Sequence, residues 1–155
     1  MSKKKQWPLK GVKVLDLGQI YNGPYAGFLL AHAGADVIKL EPLQGEVLRQ
    51  RGGGVIPLSF AMLNTNKRGI AINLKDEKGK EILIKLVKEA DVLLENFAPN
   101  AMERLGLGSK VLTDVNPRLI YASGSGYGLS GPEKDNLAMD LTVQAIGGVM
   151  SVNGP

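Results

Sequence analysis

The 155-residue chain is 44% hydrophobic and 22% charged, which places it among ordinary globular domains and excludes a disordered chain or a collagen-like fibre. With no cysteine, thiol nucleophiles, thiolate metal sites and a disulfide framework are excluded as well. A net charge of +4 is modest and suits a small polyanionic ligand, such as a nucleotide cofactor, without requiring one.

Residues 1–8 hold Lys3 to Lys5 but no apolar h-region after them, and no apolar run approaches membrane-spanning length. They read as a solvated tail with no nucleic-acid role, preceding one domain over residues 9–155 of a soluble cytoplasmic protein. From Gly11 to Pro42 the pattern is a complete βαβ unit. Val12, Val14, Leu15 and Leu17 form the apolar run of a strand covered on both faces. Gly18 to Gly23 supply a loop, Pro24 fits a first helical turn, and Asn22 or Gly23 can cap it. Ala26, Leu29, Leu30 and Ala33 recur at helical spacing, and Gly34 suits the left-handed stop. The next strand is Asp36 to Leu40. Strand, crossover helix and second strand imply an open α/β sheet with a right-handed crossover. Ligands of such sheets sit at the carboxyl ends of strands, here the loop Gly18 to Pro24 together with Glu41 and Pro42.

After Pro42 an aperiodic connection contains one short helix, started by Pro57 and buried through Phe60, Ala61 and Leu63. Ile70, Ile72 and Leu74 alternate as a strand nearer the sheet edge. Asp76 opens an amphipathic helix whose stripe is Ile82, Leu83, Leu86, Val87 and Ala90, with Glu81–Lys85 and Lys85–Glu89 pairs outside. Asp91 to Glu95 is the fourth strand. A short helix from Pro99 through Met102 and Leu105 ends at Gly106 or Gly108, and another over Val111 to Val115 stops before Pro117. Leu119 to Ala122 make the fifth strand. A glycine-rich loop follows, and then a helix-like apolar stretch from Leu137 to Val152 with nothing after it to cover it.

Gly126, Gly128 and Gly131 fit G-x-G-x-x-G, but Pro132 to Asn136 separate them from any helix, and Gly18, Gly23 and Gly27 have the wrong spacing. An NAD site, with Glu41 on the ribose, is therefore disfavoured. His32 is the only histidine and falls at a helix C-terminus, where a dipole contact suits it; no metal site is expected. Asn96 and Phe97 at a strand's carboxyl end, with Arg104 beyond, can meet the amide, base and phosphate of a nucleotide, or serve as a cap and a core aromatic. Asp140 can cap the last helix or act as an active-site carboxylate.

Whole phrases go further. The stretches GVKVLDLGQIYNGPYAGFLLAHAGADVIKLEP, NTNKRGIAINLKDEKGKEIL, ADVLLENFAPNAMERLGLG, NPRLIYASGSGYGLSGP and MDLTVQAIGGVMSVNG resemble, in order and spacing, the N-terminal portion of the class III (CaiB/BaiF-type) coenzyme A transferases. The resemblance implies a Rossmann-like, mainly parallel sheet flanked by helices, a smaller second domain, and an interlocked homodimer. It implies CoA transfer between an acyl-CoA and a carboxylic acid through an aspartate nucleophile, with no covalently bound cofactor. It places Ile20, Tyr21 and Asn22 beside the thioester, and Ile72, Lys75, Asn96, Phe97, Arg104 and Leu105 along the CoA groove. The family's attacking aspartate belongs to a motif past residue 155, so the chain reads as a fragment, inactive alone, with Asp140 at most an auxiliary carboxylate. The α-methylacyl-CoA racemases share the fold but carry a histidine where this chain has Met139, which favours transferase over racemase. A non-catalytic nucleotide-binding module is the remaining alternative.

Overall fold

The computed structural model describes residues 7–53 and 55–153; Lys3 to Lys5, and with them most of the expected tail, lie outside the described residues. Five strands form one parallel sheet: β1 (Lys13–Asp16), β2 (Asp36–Glu41), β3 (Lys67–Ala71), β4 (Val92–Glu95) and β5 (Ile120–Ser123), in spatial order β3-β2-β1-β4-β5. Leu15 sits opposite Ile38 on one side and Leu93 on the other, and Leu93 opposite Tyr121. The helices are α1 (Asn22–His32), α2 (Val47–Gln50), α3 (Leu58–Leu63), α4 (Glu77–Val87), α5 (Ala101–Arg104), α6 (Ser109–Val115), α7 (Asp140–Ile146) and α8 (Val149–Asn153).

Because successive strand residues point to opposite faces, the apolar runs split between two cores. Val14, Val37 and Leu94 pack with Ala31 and Ala35 at the end of α1. Leu15, Leu17, Leu40 and Leu93 pack on the other face with Leu83 and Val87 of α4, Met102 of α5 and Leu112 of α6. A small third cluster joins Leu48 of α2 to Phe60 and Leu63 of α3, with Ile20 against it. Gly34 stops α1 at φ 100°, and Trp7 packs against it so closely that no side chain fits there. Asp76 caps α4 by accepting from the Lys78 N–H at 2.9 Å. Asn116, buried between α6 and β5, donates to the Val87 and Ala90 carbonyls at 2.9 and 2.8 Å, satisfying groups left over at the end of α4.

Several expectations are corrected. The connection after β2 holds two helices, because Glu46 caps the extra one from its own side chain. Strand β3 ends at Ala71, so Ile72 and Leu74 lie beyond it; Ile72 is core and donates its N–H to the Glu41 carbonyl at 2.8 Å. The buried line of α4 is Gly79, Leu83 and Val87, four residues apart, which leaves Ile82 on the exposed rim. Among the described residues neither i,i+4 pair on α4 forms: Lys80 pairs with Glu77 at 2.8 Å, and Glu89 is taken by Lys13 at 3.0 Å. Helix α1 starts at Asn22 behind an uncapped Tyr21, so neither Asn22 nor Gly23 is the cap. The last apolar stretch is two short helices, broken where Gly148 takes φ 77°.

Candidate functional site

Strand order reverses at β1, whose successors in sequence run to one side while β4 and β5 lie on the other, and the crevice at such a reversal is where open α/β sheets bind ligands. The loop from Leu17 to Tyr21 lies at this point. Its closure demands glycine: a Cβ on Gly18 would stand 2.6 Å from the Gly23 Cα, and one on Gly23 2.5 Å from the Gly18 Cα. Helix α1 then runs so close to β1 that a Cβ on Gly27 would stand 2.6 Å from Asp16 Oδ2.

Side chains grip the loop's backbone. Asp16 Oδ1 accepts from the Gly18 N–H at 2.8 Å, and Lys39 Nζ donates to the Gly18 carbonyl. The Asn96 carboxamide takes both polar groups of Gln19, accepting from its N–H at 2.6 Å and donating to its carbonyl at 3.0 Å. Ile20, held in the left-handed region at φ 63°, donates its N–H to Glu46 Oε1 at 2.9 Å. Below them Lys67 Nζ, 1% exposed, reaches the fully buried Asp16 carboxylate at 2.7 Å, the Pro24 carbonyl at 2.8 Å and Asn64 at 3.1 Å. Burial lowers the pKa values of both Lys39 and Lys67 from the usual lysine value, and the Asp16 charge opposes it in each. Farther out, Arg49 forks onto Glu41 at 2.6 and 2.7 Å and lies 4.0 Å over the Phe60 ring. Burial works to raise the Glu41 carboxyl, but the Arg49 guanidinium and the Glu46 N–H outweigh it and hold it below its ordinary value.

Of the residues singled out in the sequence, Ile20, Tyr21 and Asn22 lie in or directly after this loop and Asn96 bonds to it, while Phe97 turns to the main core and to a cavity that no residue of this loop lines. Asn22 and Asn96 both stand against Gly124, where a Cβ would lie 3.3 Å from Asn96 Cβ and 3.5 Å from Asn22 Oδ1. Tyr21 is half exposed, while Ile20 turns inward against the third cluster. Phe97 lines a cavity of about 550 Å³ past β4 and β5, with Glu95, Tyr121, Ser123 and Lys134 on its other walls. The Tyr121 hydroxyl faces Glu95 Oε1 at 3.4 Å, and burial, then the Glu95 charge, pushes its pKa up, so it stays a neutral donor. The remaining residues are dispersed. Ile72 is core, and Lys75 is exposed past the edge strand β3, with no ion pair among the described residues. Arg104 is exposed on α5 and donates to the Pro99 carbonyl at 3.0 Å, and Leu105 packs on the main core. Asp140 begins α7, exposed, and accepts from Gln144 at 3.0 Å.

Sequence reasoning passed over Asp16, Lys39, Glu46 and Lys67. A signal existed, since Asp16 and Lys39 interrupt apolar runs read as buried strands, and a charge is seldom buried without a partner. Among the described residues no group of three or more His, Asp or Glu side chains is arranged to hold a metal, and no helix is long and apolar enough to cross a membrane.

A doubly wound parallel sheet flanked by helices, with a braced loop at its reversal, defines an α/β protein of Rossmann-like architecture. Residues 9–155 match CoA-transferase family III, and the chain belongs to that family. It is 46% identical over 149 residues to the formyl-CoA:oxalate CoA-transferase of Streptomyces avermitilis, covering 94% of this chain and 36% of that protein. It is 43% identical over 154 residues to the acetyl-CoA:oxalate CoA-transferase of Acetobacter aceti, covering 97% of this chain and 40% of that protein. The crystal structure of a hypothetical protein from Mycobacterium tuberculosis matches with a TM-score of 0.88 at 39% identity, over 95% of this chain and 40% of that one. A CAIB/BAIF family protein from Brucella suis matches with a TM-score of 0.85 at 37% identity, over 95% and 41%. The chain thus spans about two fifths of the length of these relatives.

Proposed function

We propose that this chain supplies the CoA-binding N-terminal part of an enzyme that transfers CoA between an acyl-CoA and a carboxylic acid. The carrying observation is the braced β1–α1 loop at the sheet's reversal, in a chain 46% identical to a formyl-CoA:oxalate CoA-transferase. Loop residues Tyr21 and Asn22 face the thioester, and Phe97 with the cavity beyond it receives part of the CoA. Lys75 and Arg104 supply exposed cations for its phosphates. The Asn96 carboxamide is spent on the loop, so in this reading it is the Asn96 backbone that meets the ligand. Both of the CoA-transferases named above carry oxalate in their names, which makes oxalate the first acceptor to try. An interlocked homodimer and a cytoplasmic setting belong to the same proposal, as does the absence of a covalent cofactor. The attacking aspartate belongs to the part of the enzyme past residue 155, with Asp140 at most auxiliary.

Calorimetric titration with CoA and with NAD tests this reading. CoA binds more tightly, and Arg104→Ala weakens it by about 1.5–3 kcal/mol, the scale of a hydrogen bond to a charged group. Tighter NAD than CoA binding would overturn the assignment; an unchanged affinity in a folded Arg104→Ala protein removes Arg104 from the site.

A further inference from the structure

We infer that Glu46 is a positioning residue, which fixes the β1–α1 loop through the peptide of Ile20. All of the amide and carbonyl groups of Gly18 and Gln19, and the Ile20 N–H, are held by side chains: Asp16, Lys39, Asn96 and Glu46. Ile20 is the critical joint. Its φ of 63° is one that a β-branched side chain disfavours, and such a conformation persists only where its surroundings over-determine it. Asn96 secures the residue before it, but the Ile20 amide itself is held by Glu46.

Glu46 is in turn fixed from outside. Its own N–H donates to Glu41 Oε2 at 2.9 Å, and Arg49 grips that carboxylate with two bonds. Its Oε1 accepts from Ile20 and also from Leu48 N–H at 3.1 Å, the cap of α2. Capping alone does not account for this residue. Glu46 is 1% exposed, and its second oxygen, Oε2, is buried without a hydrogen-bond partner among the described residues. A serine would cap the helix without burying an unpaired carboxylate oxygen, so the longer side chain is explained by its reach to Ile20. The consequence lies downstream, since the direction the chain takes after Ile20 sets where Tyr21 and Asn22 stand. That consequence rests on the reading of the loop as the one facing acyl-CoA.

The variant Glu46→Ser keeps a helix cap but cannot reach Ile20, whereas Glu46→Gln keeps the accepting oxygen. Hydrogen exchange followed by NMR reads the clamp directly, with CoA titration beside it. In Glu46→Ser the Ile20 amide exchanges at least about tenfold faster relative to the core amides of Val14 and Leu93, and CoA affinity falls about tenfold, the scale of one lost hydrogen bond. Glu46→Gln restores both. Should Glu46→Ser fail to fold, Glu46→Asp, one methylene shorter, is measured in its place with the same expectation. Ile20 exchange that merely tracks the core amides, or a Gln variant that restores nothing, overturns the inference. If the parent protein binds no CoA, the exchange measurement still decides the clamp, and the functional reading fails on its own.

Discussion

The two ends of the described chain invert each other's chemistry. Around Asp16 to Ile20 six charged side chains, Asp16, Lys39, Glu41, Glu46, Arg49 and Lys67, are drawn into or against the fold, where burying charge is costly. In α7 and α8 the apolar side chains Leu141, Ile146, Val149 and Val152 stand in the open, and neither helix buries a residue. Stability alone accounts for neither arrangement. The buried charges fall into place as a brace for backbone that no regular ladder can hold, since a loop at a strand's end has polar groups with no sheet partner. The exposed hydrocarbon contributes nothing to the cores formed by residues 9–122. One region is therefore expensive to alter and the other cheap, and substitutions measure the contrast.

The largest effect is expected at Lys67. Replacing it with Met leaves the Asp16 carboxylate buried without its 2.7 Å partner, at a cost of about 3–5 kcal/mol in urea unfolding. The double variant Asp16→Asn/Lys67→Met recovers a large part of this, since it removes both charges and keeps an acceptor for the Gly18 N–H. A loss below about 1 kcal/mol in Lys67→Met would mean that the pair does not brace the loop. Next comes Gly27→Ala. An added methyl meets Asp16 Oδ2 and lies 3.1 Å from Lys67 Nζ, so α1 must lift from β1, at about 1–3 kcal/mol for overpacking. A stabilised variant, as alanine gives in an unobstructed helix, would show that the helix is not seated on the pair.

How far the sequence discloses this architecture follows from where the information lies. Strands β1, β2 and β4 are legible because burial on both faces writes itself as apolar runs, and the limits of α1 and α4 because Gly34 and Asp76 are local signals obeyed locally. The edge strand β3, Lys67–Ala71, carries no apolar run, so its expected place falls too far along the chain. Ile82 misleads since a wide apolar stripe fixes a helix's rotation only to within a residue, and the sheet chose Leu83 and Val87. The ion pairs expected on α4 fail for a different reason: Glu89 finds Lys13, 76 positions away in sequence, and no local window contains that contact. At the site, Asn96 and Phe97 are legible from their place at a strand end. Their work is not, because Asn96's partner Gln19 is 77 residues distant. Charges set in apolar runs were the readable trace of the brace.

A smaller effect separates the brace's outer member by pH. Glu41 has its pKa depressed in the fold, so its contribution is fully present above the unfolded value and is lost as pH falls through the folded one. In Arg49→Gln the guanidinium is gone and burial, which pushes the carboxyl upward, is less opposed. Acid unfolding followed by circular dichroism should then begin at a higher pH than in the parent, after subtraction of the difference between the two at pH 7. Coincident acid limbs would show that the Arg49–Glu41 fork does not outweigh the burial of Glu41.

The smallest effect is expected at the other pole. Ile146 and Val152 are 69% and 82% exposed, near the carboxyl ends of α7 and α8, where a lysine side chain also complements the helix dipole. The double variant Ile146→Lys/Val152→Lys should therefore unfold in urea within about 0.5 kcal/mol of the parent, as surface substitutions do. Its behaviour in solution should change more than its stability. Contiguous apolar surface promotes association, so the variant should show weaker fluorescence with a hydrophobic dye and less self-association in sedimentation than the parent. A loss above about 1 kcal/mol would place these side chains in a packed contact and remove the contrast with the charged brace, since both regions would then be structural.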